Sequence, residues 1–346
     1  MNLEPPVTLG ELAADGIIIS TAQDFAAAER FGRMTSIVFT TPQPDDPTCD
    51  ANAEVRVHNA MGETFTIPGV RVAEVADDAW TWLTDAAPDA TYQATEEVRA
   101  AARTLRSGAM LLDAIRPDDT CAIIALDTFP AAEAHVRQAF IHGLARMDAA
   151  HQGYAYRSVL AAASAWELPV REEGDYVEIA APGGVLGVRF TGTYAREVQF
   201  DGALSSADVL ADAFYLSQEA QYFFDATGHA ATQPVEIARF TETQWRWTHP
   251  AIHHFGIQHG LLDLARGVND MHVVDPEYLT ISAKPVLGLW AHRFTERDGY
   301  TSVELLGVTL PALTAEVRDT VLATELPGGV DPQRARAHYL QSRASA

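Results

Sequence analysis

The chain has 346 residues, of which 47% are apolar and 21% charged, so it is long enough for about two domains with buried cores. Its 47 acidic and 24 basic residues give a formal net charge of −23, and Lys284 is the single lysine. Such a surface repels nucleic acid and anionic lipid, so we set aside nucleic-acid-binding and membrane-binding functions.

The first residues give no sign of export. Residues 1–16 are predicted to be an N-terminal extension, and the apolar run Ile17–Ile19 that follows is too short for a signal peptide. No segment approaches the roughly 18 apolar residues that a membrane span needs. Cys49 and Cys121 have no motif spacing, which favours a reducing compartment. We therefore expect a cytoplasmic protein.

Residues 17–202 are predicted to form a first structural unit that begins with a helix and continues as antiparallel strands. The helix runs from Ala22 to Phe31, with Thr21 as its cap. Alternating apolar residues and turn signals predict strands at residues 35–41, 55–57, 64–67 and 70–75, with an irregular loop at residues 42–50.

The rest of this first unit alternates between helices and strands. A helix is predicted after Pro88, over residues 91–106, and a buried strand follows at the apolar run 121–126. Pro130 is suited to the first turn of the next helix. A further helix is predicted at residues 154–166, and a β-meander at residues 176–179, 185–190 and 194–200 closes the unit.

Residues 203–346 are predicted to form a second unit, truncated at its C-terminal end. Its first helix is capped by Ser205 or Ser206, has Asp208 near its positive end and stops at Gly228. A strand at residues 235–240, a helix at 261–268, a hairpin of 284–294 with 302–306, a helix at 311–322 and a last helix at 332–342 follow.

Matching segments in the two units indicate a tandem repeat. Trp80-Thr-Trp82 aligns with Trp245-Arg-Trp247. At the same offset, Val70, Val72, Ala73, Val75 and Asp77 align with Val235, Ile237, Ala238, Phe240 and Glu242, and residues 128–137 resemble 309–318. The predicted fold class is therefore α+β, built from two diverged copies that each pack a small antiparallel sheet against helices.

The tryptophan pairs are the first candidate binding residues. In a strand, the two rings of each pair, Trp80 and Trp82 or Trp245 and Trp247, would point to the same side, whereas in a helix they would diverge by about 200°. The rings then form either a stacking platform for a ligand or partner, or a buried lock where strand and helix meet. Both copies keep the pair, which favours the structural interpretation.

The second candidate is a histidine-rich segment with His249, His253, His254 and His259. His249 and His253 are four residues apart, the spacing that brings two imidazoles to one helix face for a divalent metal such as zinc. Pro250 makes His249 a helix cap, however, and the first copy lacks these ligands. We favour structural or solvated histidines and expect no cofactor.

Signatures of familiar enzymes are missing from the sequence. It contains no phosphate-binding G-x-x-x-x-G-K-[ST], no G-x-S-x-G, no H-E-x-x-H and no C-x-x-C. A Schiff-base lysine would have to be Lys284 itself.

The second tryptophan pair begins a motif that resembles an uncharacterised bacterial domain family of unknown function. Trp245-Arg-Trp247-Thr-His249-Pro250 is similar to that family's W-x-W-A-N-P, and Gly256 to Leu264 is similar to its G-x-x-H-G-I-x-x-L. Residues 148–201 are also similar to the end of its domain. His249 stands where the family has Asn, and the resemblance implies no catalytic residues.

Two functional hypotheses follow. The first is a cytoplasmic, non-enzymatic binding or interaction protein, immunity-like or regulatory, that recognises a protein partner through the groove between the two copies. The alternative is a metal-dependent hydrolase centred on the segment from His249 to His259.

Overall fold

A computed structural model describes residues 3–40, 52–83, 92–115, 119–127, 133–147 and 151–344. The fold is α+β, as the sequence predicted, with antiparallel sheets packed against helices. The chain divides into two compact units: unit 1 comprises Met1–Glu173 and Val177–Leu186, and unit 2 comprises Gly174–Tyr176 and Gly187–Ala346. The boundary predicted at residue 202 is that of a tandem repeat and not of compact units, and it stays a prediction.

Unit 1 combines four helices with a seven-stranded sheet among its described residues. Its helices are α1 (Leu9–Phe31), α2 (Glu96–Leu105), α3 (Glu133–Arg146) and α4 (Ala155–Ala165), and its strands are β1 (Met34–Thr40), β2 (Asn52–Asn59), β3 (Thr64–Ala76), β4 (Ala79–Trp82), β5 (Tyr92–Gln93), β6 (Leu111–Ile115) and β7 (Cys121–Leu126). The long strand β3 organises the sheet, because its first half pairs with β2 and its second half with β4 and β7.

Alternate residues of β7 pack into two different hydrophobic cores, one on each face of the sheet. Ile124 packs with Phe31 of α1 on one face, whereas Ile123 packs with Trp80 and with Val98 of α2 on the other. A strand buried on both faces is continuously apolar, which explains why residues 121–126 read as a buried strand in the sequence.

A four-stranded sheet comes next along the chain. Its strands are β8 (Val170–Glu173), β9 (Tyr176–Ala181), β10 (Gly184–Thr191) and β11 (Tyr194–Gln199), in the order β11-β10-β9-β8. This confirms the predicted meander, with β10 and β11 joined as an antiparallel hairpin.

Unit 2 contains a five-stranded sheet in the order β14-β13-β12-β16-β15. Its helices are α5 (Ser206–Thr227), α6 (Pro250–His259), α7 (Leu262–Ala265), α8 (Pro276–Leu287), α9 (Ala315–Leu322) and α10 (Pro332–Ala344), and its strands are β12 (Val235–Phe240), β13 (Gln244–Trp247), β14 (Val268–Asp270), β15 (Ala291–Arg297) and β16 (Tyr300–Leu306). The sheet packs on Val209 of α5, Ile252 of α6 and Leu279 of α8, and the opposite side of α5 packs on α9 and α10.

The predicted caps of α5 are confirmed. The Ser205 hydroxyl accepts from the Asp208 amide, the Asp208 carboxylate accepts from the Ser205 amide, and Gly228 ends the helix in the left-handed conformation. Because these signals are local, the sequence alone located both ends of this helix.

The two units share one pairing pattern at their tryptophan hairpins. Trp82 pairs with Ala73 in unit 1, and Trp247 pairs with Ala238 in unit 2. The register against β7 slips between Arg71 and Ala73, and the register against β16 slips between Glu236 and Ala238. The extra residue is therefore Val72 in one unit and Ile237 in the other, both buried.

Several predicted elements were wrong. Helix α1 begins at Leu9 behind a Thr8–Glu11 capping box, inside the predicted extension, and not at Ala22. Lys284 lies in helix α8 rather than in a strand. Helix α9 begins at Ala315 instead of Pro311.

Two of these errors share a cause. Buried residues cover several sides of α1 and α8, so neither helix shows a clear apolar stripe. The predictions for Pro88 and Pro130 and for the loop at 42–50 lie outside the described residues. Within the described part of the chain, no helix is both long and apolar enough to cross a membrane.

Candidate functional site

Both tryptophan pairs lie in short strands and are packed edge to face. The Trp80 and Trp82 ring centroids are 5.2 Å apart, and those of Trp245 and Trp247 are 5.1 Å apart. Trp80 and Trp245 are both 0% exposed, so neither ring offers a face to a ligand. Trp247 is also buried, whereas Trp82 is partly exposed. The arrangement favours a structural lock in each unit.

The histidine-rich segment forms α6 and the residues that flank it. His249 is the N-cap, as predicted, and its Nδ1 accepts from the Ala251 amide at 3.3 Å. His253 Nδ1 donates to the Ala265 carbonyl, and His259 Nδ1 accepts from the Leu204 amide at 3.2 Å. Each of these three rings therefore has its own backbone partner.

The geometry does not gather these histidines around one point. His253 and His254 are exposed, whereas His249 and His259 are half-buried. Among the described residues, no three side chains of His, Cys, Asp or Glu are placed to hold one metal ion. The metal-dependent hydrolase hypothesis therefore finds no ligand set in this segment.

Gly256 and Gly260, which belong to the segment that resembles the domain family, allow neighbouring backbone segments to pack closely. A Cβ on Gly256 would lie 2.4 Å from the Ala265 nitrogen, and a Cβ on Gly260 would lie 2.1 Å from the Val198 carbonyl oxygen. Gly260 also ends α6 with φ +68°, and its carbonyl accepts from the Val198 amide at 2.7 Å. These contacts fix α6 and α7 directly against β11.

Asp263, the last polar residue of the motif, belongs to a buried charged cluster. Its Oδ2 accepts from the Arg196 guanidinium at 2.6 Å, and its Oδ1 lies 3.5 Å from the nearest nitrogen of Arg266. Arg266 is fully buried, stands over the Tyr194 ring at 4.4 Å and donates to the Ala195 carbonyl at 2.7 Å. The Asp263 backbone carbonyl accepts from Trp247 Nε1 at 2.8 Å, which joins the tryptophan pair to this cluster.

Burial and charge shift the pKa values of this cluster. Burial raises the pKa of Asp263, against the lowering effect of Arg196 and Arg266. Burial likewise lowers the pKa of Arg266 and raises that of Tyr194. Burial also disfavours the charged form of Arg196, but Asp263 outweighs this and raises its pKa. Such perturbed groups beside a cleft are typical of functional sites.

Arg196 of this cluster also lines a cleft of about 420 Å³ in unit 2, which we call the β11–α5 cleft. Its lining comes from β10 and β11, the first turn of α5, α8 and the loop before α10. The lining residues are Arg189, Thr191, Arg196, Glu197, Gln199, Ser205, Ser206, Ala207, Leu210, Tyr278, Gly328, Gly329 and Val330. This volume is within the range of roughly 300–1,000 Å³ that is usual for ligand pockets.

Glu197 organises the polar wall of the cleft. Its buried carboxylate accepts from Arg189 Nε at 3.1 Å, from Gln199 Nε2 at 2.7 Å, and from the amide and hydroxyl of Ser206 at 2.9 and 2.6 Å. The negative charge therefore lies at the N-terminus of α5, where the helix dipole favours it. The polar groups of this wall are held in place by one another.

Sequence reasoning missed most of this site. Arg196 and Glu197 lie in a strand of the predicted meander, and Tyr278 lies in a segment for which no element was predicted. Asp263 was the one available signal, since it ends the G-x-x-H-G-L-L-D segment. Its partners are distant in sequence, so only the fold brings them together.

Unit 1 has a cavity of similar size between α1, α2 and the end of α3, with a volume of about 440 Å³. Its arginines are engaged in ion pairs: Arg103 and Arg146 with Asp24, and Arg99 with Asp113. None of the charged residues that line this cavity is buried, whereas Glu197 in the lining of the β11–α5 cleft is. We therefore regard the β11–α5 cleft as the candidate functional site.

Lys284 is buried away from this cleft. Its Nζ donates to the Ser217 hydroxyl of α5, and burial lowers its pKa to about 7. It is not among the lining residues of the β11–α5 cleft or of the unit 1 cavity.

Comparisons with protein-family models, with curated proteins and with solved structures find no match to this chain.

Proposed function

We propose that this chain is a cytoplasmic, non-enzymatic binding protein, immunity-like or regulatory, that recognises a protein partner through the β11–α5 cleft. The observation that carries the proposal is the wall around Glu197, where four donors from three side chains and one backbone amide fix one carboxylate. A polar surface that is ordered before binding loses little conformational entropy when a ligand arrives.

The lining of the cleft suits binding better than catalysis. Neither histidine nor cysteine is among its lining residues. The Ser206 hydroxyl donates to Glu197, but a carboxylate that already accepts four hydrogen bonds is a poor base for activating a nucleophile. The arrangement thus supports recognition of a ligand without chemical change.

The exposed part of the cleft fits a short segment of polypeptide. The Arg189 side chain is 45% exposed and donates to the same Glu197 oxygen as Gln199, and Gly328 and Gly329 also line the cleft. Side chains of this kind complement the alternating donors and acceptors of a peptide backbone. We therefore place a segment of the protein partner here.

We also propose that units 1 and 2 are diverged tandem copies. The equivalent pairing of Trp82 and Trp247, together with bulges at Val72 and Ile237, supports this because bulge positions are specific features of a sheet. An experimental structure with different registers at the two tryptophan hairpins would contradict the duplication.

Blocking the cleft tests the proposed function. We expect Thr191→Trp, which places a large ring in the cleft lining from an exposed position, to abolish capture of the partner from native lysate. Thr227→Trp is the matched control, because Thr227 is exposed at the opposite end of α5 and should leave capture unchanged.

The readout is the set of proteins that co-purify reproducibly with the tagged wild-type chain and are lost in Thr191→Trp alone. Circular dichroism checks that both variants are folded. If the wild type captures no partner, or if both variants retain the partner equally, the proposal is wrong.

A further inference from the structure

A second, much smaller cavity adjoins the β11–α5 cleft and is called the inner cavity here. Its lining residues are Arg196, Ser206, Val209, Leu261, Asp263, Leu264, Tyr278 and Ser282. Three of them, Arg196, Ser206 and Tyr278, also line the β11–α5 cleft. The inner cavity and the cleft are therefore adjacent.

Two residues that line the inner cavity, Asp263 and Ser282, each carry a shielded oxygen without a hydrogen-bond partner in the protein. Ser282 is 4% exposed, and its Oγ makes no hydrogen bond within the protein. Asp263 Oδ1 also lacks one, since Arg266 at 3.5 Å is beyond ordinary hydrogen-bond length. Leaving such atoms unsatisfied costs about 1–3 kcal/mol each, so buried polar groups normally have partners.

The volume of the inner cavity limits the size of any molecule that could bind there. Its volume is about 10 Å³, close to the minimum of roughly 10–15 Å³ that a single water molecule requires. An amide, a carboxylate or a sugar ring is too large for it.

The charges around the cavity also select the occupant. Arg196 and Asp263 are the charged residues that line the cavity, and their formal charges balance, so a cation or an anion would add an uncompensated charge. Water is neutral, and because it both donates and accepts, it can pair with Asp263 Oδ1 whether or not that carboxyl is protonated.

We propose that the inner cavity binds one ordered water molecule that bridges Asp263 Oδ1 and Ser282 Oγ. The water completes the hydrogen bonding of the charged cluster and forms part of the floor beneath the β11–α5 cleft. This proposal stands apart from the protein partner, because it concerns the free chain.

A crystal structure of the full chain at a resolution that resolves ordered water is the first test. We expect one density peak about 2.7–3.2 Å from both oxygen atoms. A cavity without a peak, or a direct hydrogen bond between Ser282 and Asp263, would overturn the proposal.

Oxygen-17 relaxation dispersion, which counts long-lived water molecules in solution, is the second test. Ser282→Val fills the cavity with apolar atoms, and we expect the loss of one long-lived water molecule relative to the wild type. The matched control is Thr280→Val on the same helix, because Thr280 is fully buried and its hydroxyl donates to the Pro276 carbonyl at 2.7 Å.

The Thr280→Val variant should retain the wild-type count, and thermal unfolding verifies that both variants are folded. An unchanged count in a folded Ser282→Val variant, or the same loss in both variants, would show that no water occupies this cavity. Neither result bears on the capture of a partner, so the two proposals fail separately.

Discussion

At the scale of single residues, the buried lysine sets a pH dependence. Lys284 has an ordinary pKa of 10.5 when exposed, and burial lowers it to about 7 in the folded chain. Between these values the unfolded chain binds a proton that the folded chain does not, so the stability of unit 2 rises as pH increases from about 7 to 10.5. At pH 7 and below, nearly all of this gain in stability is absent, because the unfolded chain is then favoured by the proton on Lys284.

Replacing the lysine should remove this dependence. We expect Lys284→Met to stabilise the chain at pH 7 by a few kcal/mol, on the order of 1.4 kcal/mol for each pKa unit that is no longer shifted. Urea unfolding at several pH values measures the effect. Ser217→Ala is the control, since it retains the buried amine and should retain the slope. A Lys284→Met variant with the wild-type slope would refute the assignment.

The two buried tryptophans of unit 2 should differ in their response to substitution. Trp247 Nε1 donates to the Asp263 carbonyl, whereas the buried Trp245 Nε1 has no hydrogen-bond partner. We therefore expect Trp247→Phe to reduce the free energy of unfolding by about 1 kcal/mol more than Trp245→Phe. Chemical denaturation of both variants gives this difference, and an equal or reversed order would contradict it.

At the scale of elements, the close contact between α6 and β11 gives a sharp prediction. Gly260 and Gly228 both end helices with positive φ, +68° and +65°. A Cβ at Gly228 meets nothing within 4 Å, but at Gly260 it would meet the Val198 carbonyl oxygen at 2.1 Å. Gly228→Ala therefore isolates the cost of the backbone conformation, and Gly260→Ala adds a steric clash.

We expect Gly228→Ala to cost about 1–2 kcal/mol and Gly260→Ala to cost several kcal/mol or to prevent folding of unit 2. Differential scanning calorimetry of the two variants makes the comparison. Similar unfolding temperatures for both would mean that α6 does not pack on β11 as described.

Elements were predictable where their signals are local. The Ser205–Asp208 capping box and Gly228 located α5, and Pro250 identified His249 as the cap of α6. Prediction failed for α8, where Pro285 and a mixed burial pattern concealed a helix. Tertiary packing outweighs intrinsic propensity in such segments.

At the scale of the whole molecule, the constant offset between the tryptophan pairs and the excess of acidic residues can both be read from the sequence. The conserved offset of the tryptophan pairs corresponds to equivalent strand registers in units 1 and 2. The net charge of −23 describes the average surface, yet the β11–α5 cleft contains two arginines and one glutamate. A global charge therefore says little about the chemistry of one cleft.

The sequence by itself determined the α+β class and the caps of α5, because these depend on neighbouring residues. Only the tertiary structure decided what the candidate residues do. It separated the histidines onto different backbone partners, and it joined Arg196, Asp263 and Arg266 into one buried cluster. A site of this kind depends on distances between residues far apart in the chain, and those distances are set by how helices and strands pack.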